Sequence, residues 1–208
     1  MNRKTLVKKS RLETTQEKRH VILTAAIDCF LEKGFHQTSM RDIAKKSGSS
    51  LGNIYNHFKS KDVLIAEIAT LEAEELNDLT FFLNKDRSAL LILKEFIDIY
   101  LKLVSKRENI LLTAEITTEG LRNKAIGKGF VANRAKLAKA LTELITKGVL
   151  SKEFSGDIDK KEAAHLILDL IEGLAMRSAY EMKKVSPKAK KALKALNEKS
   201  IMVSYLDK

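Results

Sequence analysis

The chain has one cysteine, one proline and nine glycines in 208 residues. A lone cysteine forms no internal disulfide and builds no thiolate zinc site, so neither device holds this fold together. Cys29 stands beside Phe30 in a helical pattern and reads as a small buried hydrophobe rather than a nucleophile. So little proline and glycine leaves few of the residues that punctuate strands and tight turns. No apolar run approaches the roughly 18 residues of a membrane span, and the amino-terminal stretch has no apolar signal-peptide core, so a cytoplasmic protein without membrane contact is expected. Catalytic and metal spacings are also missing. His20, His36, His57 and His165 lie outside any H-E-x-x-H pattern, the G-K-G at 127–129 is too short for a phosphate loop and follows no strand, and no nucleophile elbow occurs. No cofactor, metal ligand or catalytic residue is expected. A two-carboxylate enzyme on a Glu-rich bundle is kept only as a third reading.

Lys, Glu, Leu, Ala and Ile are abundant at helical spacing throughout, which points to an all-α protein, and 44% hydrophobic residues supply a sizeable core. The net charge is +11, and its placement is informative. Residues 1–61 hold 13 Lys and Arg against 5 Asp and Glu, whereas the other 147 residues hold 25 against 22. A basic excess confined to one end suits a polyanionic partner better than a general solvated surface.

That end contains the run TSMRDIAKKSGSSLGNIYNHFKSK, residues 38–61. Met40, Ile43, Ala44 and Ser47 repeat at the spacing of one helix face, with Thr38 or Ser39 available as N-cap. Gly48 ends this helix and suits the sharp turn after it, and Ser49 or Ser50 can cap a second short helix to about His57. Two short helices crossing closely need a small residue, a glycine and an apolar anchor, and Ala44, Gly48 and Ile54 fill those places. Outward on the second helix stand Ser50, Gly52, Asn53, Asn56 and His57, as expected of side chains that reach base edges and phosphates. Leu51 either meets a thymine methyl or covers part of the turn.

From Gly48 to Leu64 the sequence resembles the DNA-binding signature of the TetR family of bacterial transcriptional regulators (TetR/AcrR type). Gly48, Ser50, Gly52, Ile54, Tyr55, His57, Phe58 and Lys61 match in register, while Ser47 and Ser49 replace the usual alanine and valine in the turn. Residues 15–64 resemble the family closely and the rest more loosely. The resemblance implies an N-terminal three-helix helix-turn-helix domain followed by a helical ligand-binding and dimerisation domain, about nine helices in all. We expect a basic arm at 1–14, the DNA-binding domain at 15–61 and the second domain at 62–208. The motif register assigns base reading to Asn53 and Asn56 and phosphate contacts to Tyr55, His57 and Lys61. Thr38, Ser39, Arg41, Ser50, Leu51 and Gly52 complete the expected DNA-binding set.

Further helices are expected from Ser60 into the low eighties, from an Asp86 cap to about Val104, from about Ile110 to Glu119, and after Gly120 to Lys147-Gly148. Two more are expected at about 158–182 and 187–206, the last opened by Pro187. LIEGLAMRSA, with Glu172 in place of the usual aspartate, resembles the phrase found in the first of the family's two dimerising helices. One helix-turn-helix reads too few bases to find one operator in a genome, so a homodimer on a palindromic operator is expected. Leu166, Ile167, Leu170, Gly173, Leu174, Leu193 and Leu196 are assigned to its interface. The resemblance also implies an internal cavity for a small-molecule effector, with Phe82, Phe96, Tyr100, Ile116, Phe130, Met176 and Tyr180 as candidate walls. Glu115 and Glu119 are candidates to meet a cationic ligand and Arg122 an anionic one. The function implied is a dimeric repressor released from its operator by a ligand. The alternative is a helical interaction protein scaffolded on DNA without an inducer.

Overall fold

Helical spacing throughout the sequence becomes helix throughout the computed structural model, which describes residues 11–201, with side chains over 15–195. Among the described residues the regular elements are nine α-helices: α1 (Arg11–Gln37), α2 (Met40–Ser47), α3 (Leu51–His57), α4 (Lys61–Leu83), α5 (Ala89–Val104), α6 (Arg107–Arg122), α7 (Lys124–Leu150), α8 (Lys160–Tyr180) and α9 (Pro187–Ile201). The chain divides into two compact units between Ile68 and Ala69. Of the expected arm, residues 1–10 lie outside the described residues, and α1 already begins at Arg11, inside the stretch read as arm.

The first unit is built on the buried face of α1. Ile22, Ala25, Ala26, Cys29 and Phe30, at helical spacing along it, are all buried, together with Ile43, Ala44, Ile54, Leu64 and Ile65 from the next three helices and Phe58 just after α3. Burial pushes the Cys29 thiol up from its ordinary range, as befits an inert core residue. Gly34 breaks α1 at φ 77, a conformation open to glycine. The chain turned back there brings Thr38 Oγ1 within reach of the carbonyls of Gly34 at 2.8 Å and Cys29 at 3.0 Å.

The second unit packs α5, α7 and α8 around a core that includes Leu93, Phe96, Ile97, Leu141, Leu144, Ile145, Ile167, Leu168 and Ile171. Three expected boundaries move, each for a reason of packing. The cap of α5 is Ser88, not Asp86, because Asp86 turns its carboxylate to Lys147 Nζ at 2.9 Å. Gly120 does not end α6: the helix runs on to Arg122, and a Cβ on Gly120 would lie 3.3 Å from Gly127 Cα, so the two glycines allow α6 and α7 to meet closely. Gly148 does not end α7 either. A Cβ there would fall 2.1 Å from Phe154 Cδ2, so the glycine makes room for a buried ring.

Glu153, in the loop after α7, reaches the start of α5. Its carboxylate accepts hydrogen bonds from the N–H groups of Ala89 at 3.1 Å and Leu90 at 3.0 Å, from the Ser88 hydroxyl, and from Ser151 Oγ at 2.9 Å. Burial pulls the Glu153 carboxyl upward, but these donors outweigh it and hold its pKa down at about 2.

Candidate nucleic-acid interface

The turn between α2 and α3 is shaped by two serine caps and one glycine. Ser39 caps α2 by accepting from the Asp42 N–H at 3.2 Å, while the Ser39 N–H donates back to the Asp42 carboxylate at 2.9 Å, so each satisfies an orphan donor of the other. Lys33 Nζ lies 2.6 Å from the same carboxylate. Lys33 and then the Ser39 groups hold Asp42 well below the usual carboxylate range. Gly48 turns the chain at φ 66, its N–H and that of Ser49 close back on the end of α2, and Ser50 caps α3 by accepting from the Asn53 N–H at 3.2 Å. Ser47, in place of the alanine usual in the signature that the sequence resembles, donates its hydroxyl to the Ala44 carbonyl at 3.2 Å and leaves no unmet polar group.

This scaffold leaves α3 with one anchored residue and one open face. Ile54 is fully buried, while Gly52, Tyr55 and Asn56 are exposed and Leu51, Asn53 and His57 are half-buried. Nothing lies within 4 Å of where a Cβ on Gly52 would sit. No packing within the unit demands that glycine. Arg41, on α2, is exposed.

One expected contact is corrected. Thr38 is 1% exposed and its hydroxyl bonds inside the unit, so it supports the motif instead of touching a ligand. Lys61, half-exposed, donates to the Phe35 carbonyl at 2.7 Å and lies 4.4 Å from the Phe35 ring centroid, so its cation also ties α4 to the end of α1. One residue escaped the sequence reading: Arg19 donates to the carbonyl of His57, the last residue of α3, at 2.9 Å. The contact spans 38 positions, and no local spacing signals it.

In the second unit, Phe96 and Tyr100 are buried and stacked with centroids 5.4 Å apart, and Ile116 and Glu119 are buried too. Phe82, Glu115 and Phe130 are half-buried. Glu119 accepts from Arg122 at 2.8 Å, so the candidates for opposite ligand charges are paired with each other. Met176 is 42% and Tyr180 90% exposed; α8 turns them to its outer side, so neither is an internal wall.

A polar island missed by the sequence reading runs from this apolar core, at Tyr100 and Asn133, out to the surface at Asp169. Tyr100 donates to Glu172 at 2.8 Å, and Arg134 bonds Glu172 at 3.2 Å and Asp169 at 2.5 Å. Asn133, buried, donates to the Ala69 carbonyl at 2.7 Å and to Glu72 at 2.8 Å. Burial raises the Tyr100 hydroxyl, helped by the Glu172 charge; burial likewise raises Glu72, against the Asn133 donor and with the charges of Glu172 and Glu75. Asn133 lies four residues before buried Leu137 and seven before buried Ala140, and that register was the available signal.

The expected interface positions separate by face. Leu166, Leu170 and Gly173 are exposed and Leu174 is half-buried on α8. Ile167, 2% exposed, and Leu193, 5% exposed, belong to the unit's own core, because each stands on the inner side of its helix. The Leu196 side chain lies outside the described residues.

A profile described as bacterial regulatory proteins, tetR family, matches residues 22–68. The chain is 29% identical over 164 residues to YvdT of Bacillus subtilis, a protein described as an HTH-type transcriptional regulator, with 78% of this chain and 83% of YvdT covered. GusR of Salmonella enterica superposes with a TM-score of 0.74 at 27% identity, over 87% of this chain and 93% of GusR. FadR of Bacillus subtilis, solved in complex with stearoyl-CoA, shares the fold at 19% identity, with a TM-score of 0.75 over 86% of this chain and 96% of FadR.

Proposed function

This chain belongs to the TetR family of bacterial regulatory proteins, and from that premise we propose that it is a dimeric repressor that reads a palindromic operator and is released by a small-molecule effector. DNA binding and a regulatory rather than enzymatic role come with the family. The dimer, the operator symmetry and the effector are the proposed part. No described helix is long and apolar enough to cross a membrane.

The observation that carries the reading is the division of α3 into one buried anchor, Ile54, and an open face of Gly52, Tyr55 and Asn56 with Asn53 half-buried. Asn53 and Asn56 offer amides to adenine edges, while Tyr55, His57, Ser50 and Arg41 meet phosphates. Leu166, Leu170 and Gly173 on α8 present an apolar strip to a second copy, which supplies the second half-site. FadR in its complex with stearoyl-CoA supports the idea that this fold admits a small molecule. The effector is proposed to lie between the helices near Phe96, Tyr100 and the polar island. Release requires it to favour the DNA-incompetent state by about 1–3 kcal/mol.

Selection of duplexes from a random pool by the full chain tests this reading. Two inverted half-sites about one helical turn apart, occupied by a dimer in sedimentation, are expected. A single half-site held by a monomer would end the dimeric reading. Operator binding unmoved by every compound in a metabolite library would leave a constitutive regulator.

A further inference from the structure

A seven-residue helix has barely two turns, so beyond its one buried anchor, Ile54, its orientation depends on what holds its two ends. Ser50 holds the start of α3. At the other end the last carbonyls have no partner inside the helix, and one of them, that of His57, accepts from Arg19 Nη1 at 2.9 Å. A cation at a helix C-terminus also meets the negative end of its dipole. The same guanidinium lies 4.4 Å from the ring centroid of Phe58, the buried residue that follows α3, and its Nη2 is 3.0 Å from Glu67 on α4. A planar fork serves a carbonyl, a ring face and a carboxylate at once, and a lysine ammonium lacks that fixed geometry. All of these residues lie within the first unit.

We infer that Arg19 is the positioning residue of α3: it sets the angle of that helix from α1 and, through Glu67, makes the angle depend on the first turns of α4. The inference rests on α3 being the DNA-reading helix and adds the residue that ties the far end of that helix to α1 and α4. Arg19 touches no DNA in this scheme. It acts on the fit of Asn53 and Asn56 to their bases, not on the number of phosphates neutralised.

The test uses full-length Arg19→Lys and Glu67→Gln with two probes, the duplex that the unmodified chain selects from a random pool and a scrambled duplex of equal length. Arg19→Lys keeps the charge and loses the fork. Its affinity for the selected duplex should fall on the order of tenfold, the loss expected of a charge-assisted hydrogen bond. Scrambled-duplex affinity and the slope of binding against salt should stay as they were, because no phosphate contact is removed. Glu67→Gln, which leaves the His57 bond in place, should produce a smaller loss in the same direction. Unchanged affinity and base preference in a folded Arg19→Lys would overturn the inference. So would equal losses on both duplexes with a shallower salt slope, which would make Arg19 a phosphate contact. If thermal melting shows Arg19→Lys to be unfolded at the assay temperature, Glu67→Gln decides, and an unaltered base profile there overturns the inference. Failure of the unmodified chain to select any duplex would instead remove the DNA-reading role of α3, and the inference with it.

Discussion

An asparagine amide carries a donor and an acceptor side by side, the complement of what adenine shows in the major groove, and on this chemistry Asn53 and Asn56 are proposed as the base-reading residues. Replacing either by alanine should cost about 1–3 kcal/mol at selected base positions and leave the others alone. A binding profile over all single-base variants of the selected operator checks this. An unchanged profile for Asn53→Ala would mean that α3 lies differently in the groove. At this scale the sequence was most legible where the spacing was local. Gly48, Ala44 and Ile54 take the places that a close helix crossing demands, and each requirement lies within ten residues of the next. Thr38 was misread because its role depends on the turn at Gly34, and the internal bond of Lys61 went unseen because its partner, the Phe35 carbonyl, is 26 positions away. A polar side chain near a binding motif has the same sequence signature whether it faces the ligand or a neighbouring carbonyl.

Helix existence was legible from periodicity, but helix ends in the second unit were decided by neighbours. Gly148 illustrates the difference, since a glycine near the expected end of a helix reads as a terminus, whereas here the buried Phe154 ring occupies the missing Cβ. Gly148→Ala should therefore destabilise the chain by about 1–3 kcal/mol through overpacking, despite the better helix propensity of alanine. Urea unfolding measures this, and a gain in stability would mean that the Phe154 ring moves aside freely. Glu153 makes a second prediction at the same scale. Its pKa is about 2 when folded against an ordinary 4.5, so its contribution is fully present above about pH 4.5 and is lost as the pH falls toward 2. Glu153→Gln keeps the shape but loses the charge, and should cost about 1–2 kcal/mol at neutral pH as charge-assisted bonds to the start of α5 become neutral ones. Stability curves of the two proteins should converge as the pH falls through that window. Parallel curves would place the acid sensitivity elsewhere.

At the scale of the whole molecule, two leucines that sequence reasoning put in one interface make opposite predictions. Both recur at helical spacing, and periodicity separates an apolar face from a polar one without saying whether the apolar face meets the same chain or another. Burial separates them: Leu170 on α8 is 42% exposed, while Leu193 on α9 is 5% exposed and part of the core. An aspartate at Leu170 remains solvated in the single chain and becomes costly only when a second copy covers it. Leu170→Asp should therefore keep its helix content and melting behaviour at low concentration, sediment as a monomer, and lose most of its affinity for a palindrome while retaining weak binding to a half-site. An aspartate at Leu193 is buried and unpaired from the start, so Leu193→Asp should lose about 3 kcal/mol or more of folding stability whatever the concentration. Sedimentation and thermal melting of the two variants side by side distinguish the faces. A dimeric, palindrome-binding Leu170→Asp would move the interface off this strip of α8, and a stably folded Leu193→Asp would show that α9 is held less firmly than its burial indicates.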